Sequence, residues 1–75
     1  MKKCVLHVVK NDILIYWDSF TIYYSSYLDY TRNLKRYDVN SSIKYNDKFY
    51  IINGRNDTPR ELNLVVENFD NIFDL

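Results

Sequence analysis

The chain has 75 residues, carries ten basic and ten acidic side chains, and is 47% hydrophobic. This length predicts one domain spanning residues 1–75 with a small core, and the composition excludes a disordered chain. A net charge of zero argues against a general polyanion binder, and no stretch approaches the roughly 20 apolar residues that a helix needs to cross a bilayer.

Two β-rich runs open the chain, at residues 4–9 and 13–17. Lys10, Asn11 and Asp12 separate them. Asn and Asp tolerate the positive φ values that a tight hairpin turn requires, and β-branched residues flank the turn on both sides. The sequence therefore predicts a β-hairpin here.

Residues 19–37 form the strongest predicted helix, and Asp18 or Ser19 would cap it. At about 100° per residue, one face collects six apolar side chains, with Ser, Asp, Asn and Arg on the other. The apolar set is Phe20, Tyr23, Tyr24, Tyr27, Leu28 and Leu34.

The hairpin pattern then repeats at residues 43–45 and 48–52, around Asn46 and Asp47. A second hairpin is expected. We expect Gly54 to end it in left-handed backbone, because glycine enters that region without steric cost.

Thr58, Pro59 and Glu61 match the start of a helix: a capping threonine, a proline at the first helical position and a glutamate at the third. The predicted helix runs from there to about residue 72. Its apolar face would hold Leu62, Val65, Val66, Phe69, Ile72 and Phe73. Alternation of apolar residues over 62–66 also permits a strand, but the cap and the spacing of Phe69 and Phe73 favour the helix.

The predicted order is therefore β-β-α-β-β-α. Two hairpins would pair into an antiparallel four-stranded sheet, with both helices on one face. This is a two-layer α+β domain.

The residue types from which active sites are built are scarce. One histidine and one cysteine occur, His7 and Cys4, and their odd spacing on a predicted strand puts them on opposite faces. A single glycine cannot build a phosphate-binding loop. The aspartates fall in turns or on solvated faces. We therefore expect no enzyme activity, catalytic residue, metal or cofactor.

The aromatic content exceeds what so small a core can hold, which predicts a binding surface. Some side chains lie off the predicted apolar arcs, and others would face away from the helices on the open side of the sheet. The candidates for partner contact are Ile22, Tyr30, Tyr37, Leu64, Tyr16 and Tyr50. A homodimer through the sheet is another way to bury this surface.

These features favour a small protein that binds another protein and has no membrane association. A lone cysteine suits the reducing cytoplasm. A composition rich in Asn, Ile, Tyr, Lys and Asp indicates an AT-rich gene, which fits an inhibitor or modulator of a host protein encoded by a phage or mobile element. The alternative is a nucleic-acid-binding regulator that uses Arg32, Lys35 and Arg36 beside neighbouring tyrosines.

Overall fold

The protein is described by a computed structural model that covers residues 1–69. Five strands and one helix follow in the order β1 (Lys2–Lys10), β2 (Ile13–Ile22), α1 (Tyr27–Lys35), β3 (Ser42–Tyr45), β4 (Lys48–Asp57) and β5 (Glu61–Asn68). The strands form one sheet in the order β2-β1-β5-β4-β3. β1 and β5 run parallel, and every other neighbouring pair is antiparallel.

The predicted antiparallel four-stranded sheet with two helices is wrong. The sheet is mixed, has a fifth strand and curls into a half-barrel with one short helix. Within residues 1–69, no helix is long and apolar enough to cross a membrane, since α1 has nine residues.

Both hairpins are where the Asn-Asp pairs predict them. Asn11 and Asp12 have φ values of 53° and 63°, and Asn46 and Asp47 have 54° and 62°. Two consecutive positive φ values match the twist of a two-residue hairpin turn. β1 pairs with β2 through the first turn and β3 with β4 through the second.

The residues of β5 were predicted to form a helix. They form a strand instead, which lies between β1 and β4 in the sheet. Leu62, Leu64 and Val66 alternate along it, and each is fully buried. They lie beside Cys4, Leu6 and Val8 of β1. Two neighbouring strands satisfy the backbone of β5 on both edges, so the strand reading of residues 62–66 is the correct one. The end of the predicted helix, with Ile72 and Phe73, lies outside the described residues.

The predicted first helix is wrong in its first part. Residues 19–22 continue β2, where Phe20 lies opposite Cys4 and Ile22 opposite Lys2. The helix begins only after Ser26, whose hydroxyl accepts the N–H of Asp29 at 3.2 Å. The helical wheel therefore mixed residues from a strand and a helix.

Gly54 does not adopt left-handed backbone. It lies within β4, opposite Val65, where the register between β4 and β5 shifts. A Cβ built on Gly54 would meet the Val65 Cβ at 3.5 Å, an ordinary contact. Outside the two hairpin turns, Asn40 is the non-glycine residue with a positive φ in the described part of the chain.

The core lies on one face of the sheet, which we call the core face; the other is the open face. Leu34 of α1 packs against the core on this face, but α1 has no buried residue of its own. The buried cluster is Cys4, Leu6, Val8, Ile22, Tyr50, Ile52, Leu62, Leu64 and Val66, with Phe20, Leu34, Tyr37, Ile43 and Tyr45 packed against it.

Side chains on the core face join the two edge strands of the half-barrel, β2 and β3. The rings of Phe20 and Tyr45 stack with centroids 5.0 Å apart, and the Tyr45 hydroxyl donates to the Ser19 carbonyl at 3.3 Å. Further along β2, the hydroxyls of Tyr16 and Tyr50 are 2.8 Å apart. These contacts join β2 to β3 and β4 across the core face.

Lys2 is a buried cation that ties three parts of the fold together. Its ammonium pairs with the Asp57 carboxylate and donates to the Tyr30 hydroxyl at 2.9 Å and the Thr58 carbonyl at 2.6 Å. Burial lowers the pKa of Lys2, but the hydrogen bonds with Asp57 and Tyr30 outweigh it, so the pKa is raised. The sheet, α1 and the β4–β5 turn meet at this charge.

Candidate protein-binding site

Four tyrosines gather where the chain leaves β2 and enters α1. We call Tyr23, Tyr24, Tyr27 and Tyr30 the tyrosine cluster. The ring centroids of Tyr24 and Tyr30 are 4.7 Å apart, and those of Tyr27 and Tyr30 are 6.3 Å apart. Tyr27 is 80% exposed and Tyr23 is 70% exposed. Tyr24 and Tyr27 both pack against Tyr30, while Tyr23 lines a shallow depression with Tyr24.

Local sequence explains why these rings meet. β2 ends at Ile22, and the link of residues 23–26 turns the chain away from the sheet into α1. Tyr27 and Tyr30 are three positions apart on the helix, so they share one side of its first turn.

Polar contacts fix the backbone beneath the cluster. The Asp29 carboxylate accepts the backbone N–H of Ser25 at 3.1 Å, while the Ser26 hydroxyl accepts the N–H of Asp29. This reciprocal arrangement caps the helix. The Lys2 ammonium holds the Tyr30 hydroxyl and lies 5.5 Å from the centre of its ring. The cluster is therefore ordered before any partner arrives.

A second exposed surface lies on β2. All five side chains of residues 13–17 are exposed, and we call them the β2 edge. They are Ile13, Leu14, Ile15, Tyr16 and Trp17. Leu14 and Trp17 lie opposite Val9 and His7 of β1, which places them on the open face. There a shallow depression of about 650 Å³ runs beside them, lined by His7, Val9, Leu14, Arg55, Asn56, Asn63 and Val65.

Cys4 and His7 lie on opposite faces of β1, as strand alternation requires. Cys4 is fully buried, and burial raises the pKa of its thiol to about 12. His7 lies on the open face with Nε2 3.2 Å from Oδ1 of Asn63. Within residues 1–69, no three His, Cys, Asp or Glu side chains group as metal ligands.

The structure does not bring the six predicted contact residues together. Ile22, Tyr50 and Leu64 lie in the core, so they are not available at the surface of this fold. Tyr37 is half-buried, with its ring 6.3 Å from that of Phe20, and burial raises its pKa. Ile22, Tyr37 and Leu64 were selected from predicted helical faces that the structure corrects, and Tyr50 was selected as a residue of the open face of the sheet.

Tyr30 and Tyr16 keep a place at the two exposed surfaces. Tyr30 supports the tyrosine cluster while half-buried, and Tyr16 belongs to the β2 edge. Tyr16 was expected on the open face with Tyr50, but it lies opposite Val8, so both tyrosines are on the core face.

Sequence reasoning missed most of the exposed surface. Ile13, Ile15 and Tyr27 were not among the candidates for partner contact, yet they are 66%, 49% and 80% exposed. Five large apolar residues in a row do not show which side of the strand will be covered. The position of β2 at the edge of the sheet shows why these side chains are left exposed.

The basic residues of the alternative hypothesis lie at the end of α1. Arg32, Lys35 and Arg36 are exposed, and none forms an ion pair with another described residue. Cations in a last helical turn also complement the helix dipole. The tyrosines predicted to stack beside them, Tyr30 and Tyr37, are both half-buried.

No protein-family model, curated protein or solved structure matches the chain significantly. The function is therefore argued from the geometry of the two surfaces.

Proposed function

We propose that the chain is a non-enzymatic protein-binding module that contacts another protein through the tyrosine cluster. The observation that carries the proposal is the exposure of Tyr23 and Tyr27 beside Tyr30, whose ring contacts Tyr27 and whose hydroxyl is held by Lys2. Tyrosine gives a large contact area for few lost rotamers and keeps a hydroxyl for hydrogen bonding, which suits it to interface hot spots. Because Lys2 and the helix cap already hold Tyr30 and the backbone beneath the cluster, little ordering entropy remains to oppose binding.

The composition of the cluster suits a partner that binds and dissociates. Interfaces of this kind are about as polar as the rest of a protein surface and are enriched in Tyr and Arg. Ser25 and Asp29 provide polar groups at the rim of the cluster. The partner surface that fits is an apolar recess with acceptors for the tyrosine hydroxyls. A cytoplasmic setting and a role as inhibitor or modulator of a host protein, encoded by a phage or mobile element, remain part of the proposal, with composition as their support.

Affinity capture from the cells that express the protein tests the proposal. The extract is treated with nuclease, and the bait is wild type, the double variant Tyr23→Ala/Tyr27→Ala, or Phe49→Ala. Phe49 is a matched control because its ring is also more than half exposed but lies on β4.

We expect wild type and Phe49→Ala to retain the same protein. Loss of the two exposed rings should reduce its recovery by about tenfold or more. Equal recovery with the double variant would contradict the assignment of the tyrosine cluster, and recovery of nothing from any bait would contradict protein binding itself.

Nucleic-acid binding is the second candidate, because Arg32, Lys35 and Arg36 are exposed and lack ion pairs within residues 1–69. Three phosphate contacts would make binding to a single strand fall steeply with salt, with a logarithmic slope of roughly −2. The triple alanine variant should abolish that slope. A protein interface through the tyrosine cluster should change little over the same salt range.

A further inference from the structure

The β2 edge is more apolar than the tyrosine cluster and calls for a different partner. Its five side chains are all exposed, with Leu14 and Trp17 on the open face and Tyr16 on the core face, so apolar surface flanks this strand on both sides. Trp17, the one tryptophan of the chain, is 65% exposed within it.

This strand carries few of the devices that protect an edge. Natural edge strands carry lysine or proline, or another element covers them. Residues 13–17 contain neither residue. Side chains of β3 cover β2 at Ser19 and Phe20, and within the β2 edge Tyr50 and Lys48 of β4 contact Tyr16. The register shift between Val8 and Val9 leaves Ile15 without a partner on β1, and this bulge in β2 is the one such device within residues 13–17, whose side chains all stay exposed.

We infer that the occupant of the β2 edge is a second copy of this chain, packed about a two-fold axis with the two β2 strands antiparallel. Permanent homodimer interfaces resemble a core cut in half, and the composition of the β2 edge is of that kind. Because β2 is an edge strand, a second β2 could extend the sheet and place the apolar side chains of both faces against those of the other copy. A net charge of zero means that the copies do not repel each other.

The charges around the β2 edge complement each other in the antiparallel arrangement. Lys10 and Asp12 flank its start. At the other end are Asp18 and Lys48, whose ammonium lies 5.4 Å from the centre of the Tyr16 ring. Antiparallel packing brings the start of one copy to the far end of the other, so each lysine meets an aspartate.

Sedimentation equilibrium between about 1 and 100 µM protein tests this inference. We expect wild type to sediment at twice the chain mass of 9.1 kDa in the upper part of that range. Ile15→Lys places a charge within the patch and should weaken association by about 100-fold or more. Phe49→Lys puts the same charge at an exposed site elsewhere and should remain dimeric. A wild type that stays monomeric at the highest concentration overturns the inference.

The fluorescence of Trp17 locates the interface without any substitution. Emission should shift to shorter wavelength, and acrylamide quenching should fall, in step with dimer formation. A dimer in which Trp17 remains fully quenchable overturns the inference, because association then uses another surface. So does a monomeric chain whose Trp17 is protected only when a different protein is added. Neither result bears on the tyrosine cluster, whose own variants report on the proposed function.

Discussion

Replacing Leu64 with alanine separates the strand assignment of β5 from the helix that the sequence also permits. In the strand, Leu64 is fully buried beside Leu6, while Val65 faces the open side and is 38% exposed. In a helix over the same residues, Val65 would lie on the apolar face and Leu64 off it. The two single substitutions therefore give opposite rankings under the two structures.

The loss in free energy of unfolding that each substitution causes depends on how deeply the side chain is buried. Leu64→Ala removes three buried carbon groups, worth about 2.4 kcal/mol of transfer free energy at about 0.8 kcal/mol each. The cavity left in the core raises the loss in free energy of unfolding to about 3–4 kcal/mol. Val65→Ala removes two groups that are partly hydrated already, so its cost should stay below about 1 kcal/mol.

Urea unfolding, followed by circular dichroism at a concentration where the chain is monomeric, measures both losses. A chain of this length has about 4–11 kcal/mol of stability and an m value near 1 kcal/mol/M. Leu64→Ala should therefore lower the midpoint by about 3 M, enough to leave the variant marginally folded. A larger loss for Val65→Ala than for Leu64→Ala would refute the strand and the sheet order built on it.

Three further predictions concern buried groups. Burial raises the pKa of the Cys4 thiol to about 12, so a thiol reagent at pH 8 should react only as fast as the chain unfolds, and at once in denaturant. Lys2 and Tyr50 both have raised pKa values. The unfolded chain therefore loses these protons first, and the melting temperature should hold up to about pH 10 and fall above it. Asp57→Asn leaves the Lys2 charge buried without its counterion and should cost about 2 kcal/mol in urea unfolding, whereas no loss would show that the pair is open to water.

The hairpins could be predicted because local chemistry decides them. Asn11 and Asp12 need no distant contact to adopt positive φ, and the same holds for Asn46 and Asp47. Each turn then sets the register of the strands on either side. Short-range signals of this kind can be read from one sequence.

The second predicted helix shows where such signals fail. Its threonine did make the expected contact, since the Thr58 hydroxyl accepts the N–H of Glu61 at 3.1 Å. The same hydrogen bond serves a helix cap and the turn between β4 and β5. The conformation of the next residues, 61–68, is decided by pairing with β1, which is distant in sequence, and no local pattern reports that pairing.

The sequence predicts that aromatic side chains form an exposed surface, but it does not predict which residues form it. Excess aromatic surface is expected from composition, and Tyr30 and Tyr16 do lie at exposed surfaces. The other candidates depended on which residues belong to strands. Phe20 fits a helical face and a strand face equally well, so the point where β2 ends could not be located from periodicity. That point decides which tyrosines gather above α1.

Site-specific photo-cross-linking from position 27 tests the central claim most directly. A photoreactive phenylalanine replaces Tyr27 in the cells that express the protein, with the same group at Phe49 as the control. We expect irradiation to join position 27, and not position 49, to one discrete protein other than this chain. Cross-links from position 27 only to nucleic acid, or equal cross-linking from both positions, would contradict the claim that the tyrosine cluster is the surface that meets a partner.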